Sequence, residues 1–227
     1  MPESNFYQGS WLELHQNNNL SIIGQIDLAN FLTLTGLGLS FISAILALQQ
    51  DFNLAIICLI YAGLADVFDG YIARRIQRTE LQSAIGKQLD NLVDICAFGF
   101  SPAIFAYCFG LNDYLSILIL ISYVAASGLR LAFFNSVGLL DNQGKDYFIG
   151  LPVTCISFIL PVIFGANFFI NNFVIQISMK FVYLLLTILM VANFKVIKPQ
   201  GYWYVLVLLF AVIMTMVYAL GTNLWIL

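Results

Sequence analysis

LANFLTLTGLGLSFISAILALQQ, residues 28–50, is a run of 23 residues that contains no charged side chain. Similar uncharged runs extend over residues 147–179 and 199–227. A helix needs roughly 20 apolar residues to cross the hydrocarbon core of a bilayer. The runs show no strict alternation of apolar and polar residues, so they favour membrane helices over a β-barrel.

The composition supports the same class of protein. Hydrophobic residues make up 61% of the 227 residues and charged residues only 9%, whereas soluble domains carry about 25% charged residues. The net charge of −3 says little about partners, but the lack of a basic patch argues against a nucleic-acid partner. The single histidine, His15, has no partner residue to tune it, and the four cysteines lack the CxxC spacing of a metal or redox site.

We therefore predict an all-α fold, a polytopic membrane helix bundle of about seven transmembrane helices, with six to eight as the range. A polar N-terminal interfacial segment, residues 1–26, precedes a transmembrane domain at 27–227, and we expect no soluble domain. The predicted helices cover residues 28–49, 53–75, 86–109, 113–135, 148–166, 174–195 and 202–225.

The basic residues predict the orientation, because loops rich in Lys and Arg remain in the cytoplasm. Eight of the nine Lys and Arg residues lie at or between helices two and three, four and five, or six and seven; Lys180 is the exception. The loops of the other side carry Asp51 and Asp113. We expect the basic side to be cytoplasmic, with the N-terminus inside and the C-terminus outside.

Four aspartates fall inside or at the ends of two predicted membrane helices. Asp66 and Asp69 are three residues apart and Asp90 and Asp94 four apart, so each pair shares one helix face. The loop between the two helices places both pairs toward its own side, which is the basic side. Four neighbouring acids repel one another strongly unless a cation lies between them. Carboxylate oxygens suit Mg²⁺ or Mn²⁺, so we predict a site for two divalent ions at Asp66, Asp69, Asp90 and Asp94.

Two other interpretations of the four acids are a structural ion network and a cation transporter. The acids would instead form a structural ion network with the basic residues of the connection, namely Arg74, Arg75, Arg78 and Lys87. A cation transporter would also place acids in membrane helices, but transporters tend to have paired repeats, and only one copy of these acids is present.

Small residues accompany the acids and favour a bound ligand. Gly70, Ala73 and Gly86 lie within a turn of the acids, where they let a bulky group approach the backbone. Helix–helix packing is the other use of such residues. Arg74 offers a planar fork of donors to a phosphate.

These residues resemble the signature of the CDP-alcohol phosphotransferases. DVFDGYIAR at 66–74 and GKQLDNLVD at 86–94 match D-x2-D-G-x2-A-R followed by G-x3-D-x3-D at all eight fixed positions. The spacer of eleven residues between Arg74 and Gly86 is longer than is usual in that family. Asn30 and Thr33 are similar to an N-x-x-T element of the family.

Further segments resemble membrane-embedded phosphatidylserine synthases. They are LDNLVD at 89–94, FGFSP at 98–102, LRLAFFN at 129–135 and GLP at 150–152. Asn91 stands where serine is usual and Phe133 where a second arginine is usual. Choline-using phosphatidylcholine synthases share the long spacer and the Asp-Asn pair, so they remain an alternative, as does another member such as phosphatidylglycerophosphate synthase.

The resemblance implies a transfer of the phosphatidyl group from CDP-diacylglycerol to a small alcohol, best matched by L-serine, with release of CMP. It implies that Asp94 is the catalytic base. Donor binding would fall to the residues Asn30, Thr33, Asp66, Gly70, Ala73, Arg74 and Gly86. Arg130 would bind the acceptor or a phosphate. The resemblance further implies a homodimer in the cell (inner) membrane with the active site facing the cytoplasm.

Overall fold

The computed structural model describes residues 21–137, 140–142, 145–197 and 202–224. The interfacial segment predicted at 1–26 therefore lies almost wholly outside the described residues. The described helices, apart from short 3₁₀ turns, are α1 (Leu28–Leu48), α2 (Phe52–Ala73), α3 (Glu80–Cys108), α4 (Tyr114–Val137), α5 (Ile156–Gly165), α6 (Asn172–Val191) and α7 (Trp203–Leu224). The strands are β1 (Leu140–Asn142), β2 (Lys145–Ile149) and β3 (Lys195–Ile197).

Six of these helices are long and apolar enough to cross a membrane, all except α5. With its flanking 3₁₀ turns, α5 forms a shorter apolar helix over Val153–Phe168. The chain is a multi-pass membrane protein, and the predicted all-α bundle is confirmed.

The fifth helix, predicted at 148–166, is wrong at its start. Lys145–Ile149 is a strand, and Gly150 then adopts a left-handed conformation with φ +72°. A Cβ atom on Gly150 would lie 2.6 Å from the Met190 carbonyl oxygen, so the chain turns sharply against α6. Pro152 then precedes the 3₁₀ turn at Val153–Cys155, because proline lacks the N–H that a helix interior requires.

Two other predicted boundaries move. The third helix begins at Glu80 rather than 86, since Thr79 and Gln82 form a capping box with bonds of 3.1 and 3.0 Å. The sixth helix ends at Val191, because the chain continues into β3.

The basic connections lie at one end of the bundle, which we call the basic end. β2 pairs antiparallel with both β1 and β3, so the α4–α5 and α6–α7 connections lie side by side. Arg74, which follows the last residue of α2, donates from Nη2 to the hydroxyl of Tyr204 in α7 at 2.7 Å. The expectation that these loops share a side is thus met within the described residues.

Lys180, the exception among the basic residues, has a partner at the opposite end. Its Nζ lies 2.6 Å from Asp113 Oδ1, just before α4. The bond from Lys180, with a second from the Ser116 hydroxyl, lowers the pKa of the exposed Asp113 carboxyl below its ordinary value. The pair leaves little net charge at this end.

Proline in α3 creates a local change in the helix. Residues Ile95–Phe100 form a π-helical segment between two α-helical parts. Pro102 has no N–H to donate to the Phe98 carbonyl, and the Tyr123 hydroxyl of α4 donates to that carbonyl instead at 2.5 Å. The Tyr183 hydroxyl of α6 donates to the Pro102 carbonyl at 2.6 Å. These bonds lock α3 between α4 and α6, directly beyond Asp94.

Candidate active site

Three of the predicted acids meet between α2 and α3, toward the basic end. Asp66, Asp90 and Asp94 each offer one carboxylate oxygen, and these oxygens lie within 4.8 Å of one another. Asp66 lies in the last two turns of α2, and Asp90 and Asp94 lie one turn apart on α3. The helical spacing therefore brings together acids that are far apart in sequence.

Asp69 is close to this group but is held by α1. Its Oδ2 accepts a hydrogen bond of 2.5 Å from the Thr33 hydroxyl, and the Asp69 side chain is buried. Thr33 was predicted to bind the donor; the structure places it as a direct partner of a predicted metal ligand. Asn30 lies one turn before Thr33 on the same face of α1.

Asp94 ends the first α-helical part of α3, directly before the π-helical segment. Such segments re-aim the side chains beside them and often occur at functional sites. Asp94 Oδ1 is buried and has no hydrogen-bond partner among the described residues. A buried oxygen that lacks a donor is costly unless a cation or proton compensates it. Three hard oxygen donors, one of which accepts no hydrogen bond among the described residues, fit Mg²⁺ or Mn²⁺.

The small residues differ in what they accommodate. A Cβ atom on Gly86 would lie 2.6 Å from Asn30 Oδ1 and closer still to the Arg78 guanidinium. A Cβ atom on Gly70 would meet only Arg74 Nη1, at 3.6 Å, which is an ordinary contact. A side chain at Gly86 would thus displace the Arg78 guanidinium and the Asn30 amide, while Gly70 leaves space. Ala73 lines a cavity of about 620 Å³ at the basic end.

Arg130 comes from α4 and lies apart from the signature. Its side chain is only 6% exposed, and its guanidinium carbon lies 5.1 Å from the centre of the Phe134 ring. It interacts electrostatically with Asp94. It also lines a largely apolar cavity of about 680 Å³ together with the ends of β2 and α6. Arg130 is therefore a buried cation beside the acids.

Three of the four basic residues proposed for a structural ion network have other partners. Arg78 forms an ion pair with Asp27 at 2.5 Å, and Arg74 bonds to Tyr204. The Arg75 guanidinium lies over the ring of Tyr71, 4.3 Å from its centre. None of these three direct contacts is with Asp66, Asp90 or Asp94, which favours a metal site over the network.

Sequence reasoning missed Asp27 and assigned Arg78 only to the basic loop. Asp27 stands directly before the first apolar run, where an aspartate typically caps a helix, so the sequence could have predicted its capping role. Its pairing with Arg78, 51 residues away in sequence, carried no local signal.

Comparisons with known proteins agree with this geometry. The family pattern described as CDP-alcohol phosphatidyltransferase matches residues 26–217. The chain is 28% identical to archaetidylserine synthase of Methanothermobacter thermautotrophicus over 81% of this chain and 75% of that protein. It is 33% identical to a CDP-diacylglycerol–serine O-phosphatidyltransferase of Methanocaldococcus jannaschii over 69% of each chain.

A third relative is the CDP-diacylglycerol–serine O-phosphatidyltransferase of Helicobacter pylori, 29% identical over 80% of this chain and 78% of that protein. The family pattern includes α1 to α6 and most of α7, and with them every acid of the site. The resemblance in the signature is thus confirmed over most of the sequence. The chain belongs to the CDP-alcohol phosphatidyltransferase family.

Proposed function

We propose that this protein transfers the phosphatidyl group of CDP-diacylglycerol to L-serine, forming phosphatidylserine and CMP. The observation that carries the proposal is the group of Asp66, Asp90 and Asp94 at the basic end of two membrane helices. The three relatives described above are all named as serine-using synthases, which supports serine as the acceptor.

The position of the acids suits a lipid donor. Acyl chains remain in the bilayer while the pyrophosphate and cytidine need the aqueous side, and a site at a helix end serves both. We assign Asp66, Asp69, Asp90 and Asp94 to bind divalent cations, which neutralise charge on the donor's pyrophosphate when bound. Asn30, Thr33, Gly70, Ala73, Arg74 and Gly86 are assigned to the donor side.

Asp94 is assigned as the general base. It accepts the proton of the serine hydroxyl, whose oxygen forms a bond to the phosphorus that carries diacylglycerol. The bond from that phosphorus to the CMP oxygen breaks, and CMP leaves. Asp94 Oδ1 supports this role, because that oxygen is buried and accepts no hydrogen bond among the described residues.

Arg130 is assigned to the serine carboxylate. Its fork of donors matches a carboxylate, and it stands beside Asp94, where the attacking hydroxyl is needed. Choline carries no carboxylate and would prefer an aromatic cage, for which the candidates are Phe133, Phe134, Tyr147 and Phe148. The ring of Phe134 already lies against the Arg130 cation. This contact favours serine over choline. Tyr147 and Phe148, the other cage candidates besides Phe133, have side chains outside the described set.

The orientation in the membrane and the oligomeric state also belong to this proposal. We place the basic end in the cytoplasm of a cell membrane, since eight of the nine basic residues lie on the connections of that end. The polar segment 1–26 is assigned to the membrane interface and 27–227 to the transmembrane domain. A homodimer is retained from the family resemblance.

The deciding experiment supplies purified protein with CDP-diacylglycerol, Mg²⁺ or Mn²⁺, and one alcohol at a time. The panel is serine, choline, glycerol 3-phosphate and inositol compounds, and the lipid product is identified by mass. Phosphatidylserine together with CMP is the expected result. Phosphatidylcholine as the main product would reject the acceptor, and no CMP release with any alcohol would reject the reaction.

Arg130→Ala tests the acceptor assignment within the same assay. Loss of a charge-assisted, two-pronged contact should raise the serine KM by at least about tenfold and leave the CDP-diacylglycerol KM near its original value. Arg75→Ala is the matched control, because Arg75 is a basic residue of the same end that stacks on Tyr71. An unchanged serine KM in Arg130→Ala would contradict the assignment.

A further inference from the structure

Arg78 lies in the connection between α2 and α3, within the spacer that separates the two halves of the signature. Its guanidinium makes three polar contacts: Nε with Asp27 Oδ2 at 2.5 Å, and Nη2 with Asn30 Oδ1 at 2.7 Å and the Gln82 carbonyl at 3.2 Å. The side chains of Arg78 and Asp27 are only 13% and 11% exposed. The connection is thus bound to the start of α1 by a largely buried ion pair.

Asp27 uses its two oxygens for two different tasks. Oδ1 accepts from the Asn30 backbone N–H at 2.8 Å and so caps the first turn of α1. Oδ2 accepts from Arg78. One carboxylate therefore fixes both the start of α1 and the position of the Arg78 side chain.

Arg78 also fixes the orientation of the Asn30 amide. Asn30 Oδ1 accepts from Arg78, and Nδ2 donates to the Gln25 carbonyl at 3.3 Å. Asn30 is 2% exposed, so it has little freedom to turn elsewhere. The Asn30 oxygen and the Arg78 guanidinium lie directly against Gly86, so a side chain at that position would displace both groups.

These contacts continue to the acids. Thr33, one turn beyond Asn30, donates to Asp69, and Arg78 itself interacts electrostatically with Asp69. Arg130, by contrast, interacts with Asp94 on the α4 side. Arg78 therefore acts on the side of the site that the proposed function assigns to the donor, and Arg130 on the side assigned to the acceptor.

We propose that Arg78 is a positioning residue for the CDP-diacylglycerol donor, which acts through Asp27 and Asn30 to hold the start of α1 against Gly86 and beside Asp69. This inference rests on the proposed function, because it assigns Arg78 to the donor side of that reaction. Arg78 lies in the spacer between the two halves of the signature, and it places a cation over Gly86 from a position that the signature does not include.

A purely structural role and a positioning role differ in what they change. Loss of a structural contact lowers the amount of folded enzyme. It therefore reduces the overall rate without a selective change in the KM of one substrate. Loss of a positioning contact on the donor side raises the donor KM and leaves the serine KM in place. The assay therefore measures both KM values and kcat for enzyme that passes size-exclusion chromatography.

Four variants test the inference. Arg78→Gln removes the charge, and Arg78→Lys keeps the charge but cannot reach Asp27 and Asn30 together. Asp27→Asn keeps an oxygen for the helix cap and removes the ion pair. The double variant combines Asp27→Asn with Arg78→Gln. Arg75→Gln is the matched control, since it removes one positive charge from the same connection without touching Asp27 or Asn30.

Arg78→Gln should raise the CDP-diacylglycerol KM at least about tenfold, the scale of one lost charge-assisted contact, with the serine KM within about twofold. Arg78→Lys should recover part of that loss. The double variant should be no worse than Arg78→Gln alone, because the two residues act as one unit. Arg75→Gln should retain both KM values.

An unchanged donor KM in Arg78→Gln, or an equal rise in Arg75→Gln, would overturn the inference. If Arg78→Gln does not fold, Arg78→Lys and Asp27→Asn carry the test, and wild-type donor KM values in both would overturn it. Failure of the proposed function itself would give a different result, since wild-type protein would then release no CMP with any alcohol. In that case equilibrium binding of CDP-diacylglycerol to wild type and Arg78→Gln decides, and equal affinity would overturn the inference.

Discussion

At the residue scale, the aspartates of this protein differ in the partners that their surroundings give them. Asp69 accepts a hydrogen bond from Thr33, while Asp94 Oδ1 is buried with no such donor among the described residues. Asp113, at the opposite end, is exposed and paired with Lys180. The same side chain is thus held by a neighbour in α1, left available at the site, or neutralised at the surface.

The two roles assigned to the acids can be separated by substitution. Asp94→Asn keeps the size of the side chain and removes the base, so kcat should fall by at least about 10²-fold while donor binding survives. Asp69→Asn should weaken metal and donor binding together. Steady-state kinetics and CDP-diacylglycerol binding measure the difference, with Asp113→Asn as a control far from the site. Equal loss of donor binding in both variants would make Asp94 mainly a ligand.

The grouped carboxylates also predict metal dependence. EDTA should abolish turnover, and Mg²⁺ or Mn²⁺ should restore it, because three acids within 4.8 Å need a compensating charge. A bound ion should also raise the unfolding temperature of the wild type more than that of Asp66→Asn. Full turnover by chelator-treated, metal-free protein would contradict the metal site.

At the element scale, the position of α3 depends on interrupted helices. Pro102 cannot donate to the Phe98 carbonyl, and the buried Tyr123 of α4 bonds to that carbonyl instead. The buried Tyr183 of α6 bonds to the carbonyl of Pro102 itself. The short helix α5 packs closely on α2: a Cβ atom on Gly63 would lie 2.7 Å from Ser157 Cβ. Ser157 is fully buried, so it has no room to move aside.

Gly63→Ala should therefore destabilise the bundle. Forcing one methyl group into a packed contact costs about 1–3 kcal/mol, and the unfolding temperature in detergent should fall. Gly38→Ala is the matched control, because a Cβ atom on Gly38 would meet nothing within 4 Å. That substitution should be neutral or stabilise α1 by up to about 1 kcal/mol, since alanine favours the helix. Equal unfolding temperatures for the two variants would argue against close α2–α5 packing.

At the scale of the whole molecule, the distribution of charge sets the two ends apart. The connections at the basic end carry the β-strands and most of the arginines, and the other end carries the Asp113–Lys180 pair. The acids lie toward the basic end, so orientation in the membrane decides which compartment supplies serine and receives CMP.

Labelling of single cysteines checks that orientation. In a variant without the four native cysteines, Gln77→Cys between α2 and α3 should react with an impermeant thiol reagent only from the cytoplasmic side. Asn112→Cys, before α4, should react only from the other side. Both positions are exposed, so access does not limit the reaction. The reverse pattern would overturn the proposed orientation.

The sequence by itself determined the class of fold and the identity of the acids. Uncharged runs that are long enough to cross a bilayer favour helices, because a helix satisfies the hydrogen bonds of its backbone groups within its own segment. Spacings of three and four residues put the aspartates on common faces, since that period is fixed by the helix itself. Both are local properties of the chain.

Only the tertiary structure decided the rest. The left-handed Gly150 and the strand pairing of β2 with β3 shortened the fifth helix, and both depend on contacts with α6 and its extension. The bond from Thr33 to Asp69 and the ion pair of Arg78 with Asp27 join residues 36 and 51 positions apart. Such pairings follow from how helices pack around one another, and no local periodicity of the sequence specifies that packing.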